Sequence, residues 1–176
     1  MRPPPLGRQP TGILPCCRSK RLKVKEEELK LPPVVSLDAC EVRERDWSNV
    51  VTAHEGDPTA YCWRLRDFAM SEHVLRPPRA FDDKTPDAPV TAVCVSACGN
   101  YGFVGNAAGR IDRYNLQSGL FRGSYNREGA GQERAVGIKP KVAPNARAHD
   151  GSIAGVSSDS FNRTVSLSWS SACVPV

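Results

Sequence analysis

The chain has 176 residues and is 40% hydrophobic, with fifteen prolines and fourteen glycines. That length suits one ordinary domain, and so much proline and glycine favours short strands between turns over long helices. No run of about eighteen apolar residues occurs, so no membrane-spanning helix is expected. Met1-Arg2-Pro3-Pro4-Pro5 has no continuous apolar stretch behind it, so no secretory signal is expected either.

Residues 1–33 hold eight basic and three acidic side chains and seven prolines, a local charge of +5. Residues 34–176 hold sixteen of each sign, so the globular part has no bulk preference for nucleic acid. Residues 1–33 cannot bury enough apolar surface to offset their ordering entropy, and they read as a disordered basic tail. The cluster Arg18 to Lys25, with Lys20, Arg21 and Lys23 close together, is a candidate nuclear-import signal or phosphate-contacting arm. A plain solvated tail beside Glu26-Glu27-Glu28 is the alternative.

Beyond Val34 the texture is that of an all-β protein. Val51 to Trp63 reads as strand, turn at Asp57, strand, with Phe68 to Leu75 as an outer strand. Val90 to Val95 is β-rich, and Ser96 to Asn100 is a turn. Tyr101 to Gly105, Ile111 to Tyr114 and Leu120 to Tyr125 follow as short strands separated by turns. The spacing predicts a four-stranded antiparallel meander with Val93, Val95, Ile111 and Tyr114 buried. A sheet that small hides its faces by stacking on copies of itself, which is how a propeller is built. A third unit starts at His149 to Val156, turns at Ser160 to Arg163 and resumes at Thr164 to Ser166. Residues 126–148 are polar and rich in Gly and Pro, and read as a loop insertion between blades. The expected architecture is a partial WD40 propeller of about two and a half blades, at 34–80, 88–125 and 147–176.

WD-repeat blades are held by a buried hydrogen-bonded set. It comprises a His ahead of the first strand, a Ser or Thr on the second, an Asp in the next turn and a Trp on the third. Buried polar atoms must be paired, so the set fixes one arrangement. Asp57 and Trp63 fit the turn and third-strand positions, Tyr114 stands where the second unit would have Trp, and His149 fits the lead-in position of the third. These four are the candidate blade-structural residues. Leu31-Pro32-Pro33, Arg45-Asp46-Trp47, His54, Cys98-Gly99-Asn100, Tyr114 through Gly119, Arg122-Gly123-Ser124 and Gly151 through Asp159 sharpen the match.

Across roughly residues 20 to 166 the order resembles a WD-repeat subunit of the small-subunit processome, the nucleolar particle on pre-ribosomal RNA. The resemblance implies a large protein with tandem propellers and a helical C-terminal domain. It further implies a non-catalytic scaffold in pre-rRNA processing and ribosome biogenesis, in the nucleus and nucleolus. The implied partners are other propeller proteins, with contact to pre-rRNA or the U-three small nucleolar RNA made through the complex. This sequence departs from the pattern at the 126–148 insertion and again after Ser166, where no Asp-Gly turn or Trp strand follows.

Other chemistry has less behind it. Of seven cysteines, Cys94 and Cys98 stand four apart, a weak zinc spacing without a second pair. Gly99, Gly102 and Gly105 precede a strand, where a phosphate loop needs a helix N-terminus. No cofactor or metal is expected. Two other readings stand beside the scaffold: direct RNA binding through the basic tail and the insertion, and a thiol enzyme using Cys94 or Cys98, which needs a depressed thiol pKa.

Overall fold

The computed structural model describes residues 30–78, 87–125, 147–160 and 165–169. The cluster with Lys20, Arg21 and Lys23, and all but Arg147 and Ala148 of the 126–148 segment, lie outside the described residues. Among the described residues ten strands form three antiparallel sheets. The first sheet is β1 (Val34–Ala39), β2 (Val50–His54), β3 (Ala60–Arg64) and β4 (Ala69–Leu75), in that order. The second is β5 (Val90–Val95), β6 (Tyr101–Asn106), β7 (Ile111–Asn115) and β8 (Phe121–Ser124). β9 (Ile153–Ser158) and β10 (Val165–Trp169) make the third. These are successive blades of a β-propeller.

Blades 1 and 2 repeat each other's backbone pairing across their first two strands. The register shifts between Val34 and Ser36 on β1, and again between Val90 and Ala92 on β5. Glu55 N donates to Pro33 O as Ala107 N does to Pro89 O, and Cys40 N to Asn49 O as Ser96 N does to Tyr101 O. The matching bulges make Leu37 the counterpart of Val93.

β5 packs between β1 and β9, which is why its sequence is an almost unbroken apolar run rather than an alternation. Val93 and Val95 pack with Val51, Ala53, Cys62 and Leu75 of blade 1 and with Tyr114 and Leu116, forming the first core. Ala92, Ile111, Ala148 and Ile153 make a second, smaller core between blades 2 and 3. Val93, Val95, Ile111 and Tyr114 are all buried. Among the described residues β1 has a neighbouring blade on one side only: Leu37 is 61% exposed where Val93 is 5% exposed.

Side chains seal the blade junctions. Ser36 Oγ accepts from Val93 N at 3.1 Å and Asp38 Oδ2 from Val95 N at 2.7 Å. Thr91 Oγ1 donates to Ile153 O at 2.6 Å. The first two satisfy edge amides of β5 that its own sheet leaves unpaired.

Two details differ from the sequence expectation. Phe68 does not open the outer strand; it sits in the turn before β4 with φ +46°. The third blade does not lose its strand after Ser166. β10 runs on to Trp169, pairing with β9 as far as Ile153, because Val165, Leu167 and Trp169 keep the two-residue apolar period.

Candidate functional site

Blade 1 carries a directional chain of hydrogen bonds. Trp63 Nε1 donates to Thr52 Oγ1 at 2.7 Å, and Thr52 Oγ1 lies 3.0 Å from His54 Nε2. His54 Nδ1 lies 2.6 Å from Pro32 O. A carbonyl only accepts, so Nδ1 carries the ring proton; in the neutral ring Nε2 then accepts the Thr52 hydroxyl proton. The chain thus runs from β3 through β2 to the segment ahead of β1. Thr52 and His54 share one face of β2 because they are two residues apart. The sequence reading placed the blade histidine ahead of the first strand, and gave Thr52 and His54 no structural role; their spacing was the available signal.

Asp57 belongs to a neighbouring set. Its Oδ1 accepts from Thr59 N at 2.8 Å and Thr59 Oγ1 at 2.6 Å, and its Oδ2 from Tyr61 Oη at 2.8 Å. Partial burial pushes this carboxyl up. The hydrogen bonds from Thr59 and Tyr61, with the attraction of His54, outweigh that and leave it below the usual value. The His54 ring meets Tyr61 edge-on at 5.3 Å, which joins the two sets.

In blade 2 the same backbone positions carry other chemistry. Tyr114 is 2% exposed, and its hydroxyl donates to Arg76 O at 2.8 Å, reaching across to blade 1 rather than within its own sheet. Burial, with Asp112 nearby, pushes its phenol far above the usual value. Asp112 Oδ1 takes Arg110 Nε at 2.8 Å and the Ser124 hydroxyl. Burial still holds the Asp112 carboxyl above its usual value, against the opposing pull of Arg110 and Ser124.

His149 meets blade 2 through its backbone. Ala148 N and His149 N donate to Gly109 O at 2.9 and 3.1 Å. Gly109, at φ +81°, packs so closely that a Cβ there would stand 2.0 Å from His149 O. Trp63 and Asp57 are therefore brought into one blade's network, while Tyr114 and His149 each stand at a junction between blades.

The meander sorts the connections onto two faces. The β2–β3 and β6–β7 turns and the blade-to-blade crossings share one face. The β1–β2 and β3–β4 connections, with their blade 2 counterparts, form the other. On that second face Trp47 Nε1 donates to Gly99 O at 2.8 Å, Arg64 Nη2 to Asp46 O at 3.2 Å and Leu65 N to Asn49 Oδ1 at 3.0 Å. Along the first strands, an open groove of about 390 Å³ is lined by Leu37, Asp38, Cys94, Val156 and Ser158 among others. Burial and the Asp38 carboxylate push the Cys94 thiol up to about 11, and burial pushes Cys62 up to about 12. A nucleophilic thiol needs the opposite shift. Among the described residues no three His, Cys, Asp or Glu side chains are placed to hold a metal ion.

With the blades and their junctions established, the comparison with known proteins is specific. Residues 12–173 match the model of the WDR36/Utp21 second β-propeller domain. The chain belongs to the WDR36/Utp21 family. It is 40% identical over 108 residues to the U3 small nucleolar RNA-associated protein 21 homolog of Schizosaccharomyces pombe, covering 61% of this chain and 11% of that one. It is 30% identical over 153 residues to human WD repeat-containing protein 36, covering 86% and 15%. U3 small nucleolar RNA-associated protein 21 of Saccharomyces cerevisiae is 35% identical over 96 residues, covering 54% and 10%. The chain thus spans between 10% and 15% of the length of these curated relatives.

Proposed function

We propose that the chain is part of a non-catalytic scaffold subunit of the small-subunit processome, acting in pre-rRNA processing in the nucleolus. The family match over residues 12–173 carries this reading, supported by two relatives whose names associate them with the U3 small nucleolar RNA. The partners are other propeller proteins of the particle, and pre-rRNA or small nucleolar RNA is contacted through the complex. The raised thiol pKa of Cys94 argues against the thiol-enzyme alternative. Asp57, Trp63, Tyr114 and His149 serve the blades and their junctions rather than chemistry. Depleting the gene product tests the role: unprocessed pre-ribosomal RNA accumulates, and normal processing in its absence refutes the reading. The Lys20, Arg21 and Lys23 cluster assists nuclear import. Changing all three to Ala shifts a fused reporter toward the cytoplasm, and an unchanged distribution leaves it an ordinary solvated tail.

The +5 tail favours direct RNA contact as a second reading. It predicts sequence-indifferent binding that weakens steeply with salt. Binding that is absent at low salt removes it.

A further inference from the structure

The β3–β4 turn of blade 1 differs from its counterpart at one residue that matters. Arg64 ends β3 as Asn115 ends β7, and four residues later stand Phe68 and Gly119. Both adopt the left-handed backbone, with φ +46° at Phe68 and +67° at Gly119. Glycine takes that conformation without penalty; a phenylalanine is strained by it. The strain is not offset by burial, for Phe68 is 73% exposed. Strained backbone of this kind clusters at functional sites. Leu65, 46% exposed, shares the turn, and exposed Val42 stands on the β1–β2 connection. The bonds from Arg64 to Asp46 and from Leu65 to Asn49 hold those two connections together, so the turn is braced.

We propose that the Leu65–Phe68 turn is a docking knob. Its partner is a protein presenting an apolar pocket for Phe68 and a carboxylate for the exposed Arg66. Aromatic residues and arginine are both enriched at protein interfaces, and this turn exposes one of each two residues apart. The charge around the knob selects protein over RNA. The two connections carry Arg43, Arg45, Arg64 and Arg66 against Glu41, Glu44, Asp46 and Asp67, and the blade 2 turns at 96–100 and 116–120 carry no charge. Phosphates need a net positive field, which this face lacks. The inference rests on the scaffold reading in that it names one of the scaffold's contact surfaces.

The test places a benzoylphenylalanine photoprobe at position 68 of the full-length gene product in the assembled complex, with a control probe at exposed Gln117. Cross-linking from 68 but not 117, to a protein segment with apolar side chains beside an Asp or Glu, is the expected result. Cross-linking to RNA, or none, overturns the proposal. Phe68→Gly then weakens binding to the cross-linked protein at least about tenfold without lowering the melting temperature. Unchanged affinity overturns the proposal. If Phe68→Gly leaves the particle intact while depletion still blocks pre-rRNA processing, the knob fails and the scaffold reading stands.

Discussion

Gly109→Ala should unhinge the third blade, and Gly56→Ala supplies the control that makes the claim quantitative. Both glycines have positive φ, +81° and +72°, so both substitutions carry left-handed strain of about 1 kcal/mol. At Gly56 nothing lies within 4 Å of the new Cβ. At Gly109 the Cβ falls 2.0 Å from His149 O and 2.8 Å from Gly151 O, both backbone atoms. The lead-in to β9 must move, which breaks the bonds from Ala148 N and His149 N to Gly109 O. Two backbone bonds are worth roughly 1–3 kcal/mol, and partial exposure of Ile153 adds about 1 more. The two variants should therefore differ by about 2–4 kcal/mol, localised to blade 3. Native-state hydrogen exchange reads this directly. In Gly109→Ala the amides of Ile153–Ser158 lose roughly two orders of magnitude more protection than in Gly56→Ala, while β2 keeps its own. Equal loss of β9 protection in the two variants would refute the packing argument.

Trp63→Phe removes the donor to Thr52 and should cost about 1–2 kcal/mol in urea unfolding; a change below a few tenths would mean the chain of bonds is idle. Cys94, with its thiol pushed up to about 11, is about one part in a thousand thiolate at pH 8, so iodoacetamide should label it slowly in the folded protein and half-maximally only near pH 11. Fast labelling at neutral pH would contradict the burial. Because Cys62 and Cys94 titrate above the ordinary value in the fold, the stability they contribute is intact below about pH 9 and fades as pH rises through 11 to 12, which alkaline unfolding should show. The chain by itself should melt at low temperature or aggregate, since Val34, Val35 and Leu37 present an apolar flank to water. A sharp, concentration-independent melt of a monomer at high temperature would argue otherwise.

The meander was legible because its signal is local. The apolar run Val90–Val95 announces a strand covered on both sides, and the turns at Asn106–Gly109 and Leu116–Gly119 fall where glycine permits positive φ. What was not legible depends on neighbours distant in sequence. Ser36 and Asp38 each bond an amide 57 positions away, and only the stacking of β1 on β5 brings them there. Thr52 and His54 form a pair through strand periodicity, but their link to Pro32 requires knowing how the chain enters blade 1. Phe68 read as strand because aromatics favour strands; its turn position appears only when the repeat is aligned by hydrogen bonds instead of residue types.

That alignment explains why the signature is scattered. Blade 1 spans β2 and β3 with Trp63, Thr52 and His54; blade 2 has Tyr114 at the Trp63 position, turned toward blade 1, and Val104 and Asn106 at the Thr52 and His54 positions, and it places the Arg110–Asp112–Ser124 cluster elsewhere, at β7 and β8. These two networks share no residue type, yet within each the hydrogen-bonding groups just named are paired, and an unpaired buried group is what folding penalises. A blade can therefore lose every letter of the repeat signature and keep its geometry, provided the exchanged groups still close their bonds. The bonds that do recur are backbone bonds at the crossings, such as Glu55 to Pro33 and Ala107 to Pro89, for which side-chain identity is indifferent. The contrast between Leu37 and Val93 follows from the same logic. They hold one position in two blades, both apolar, and only the presence of a flanking blade decides which is buried.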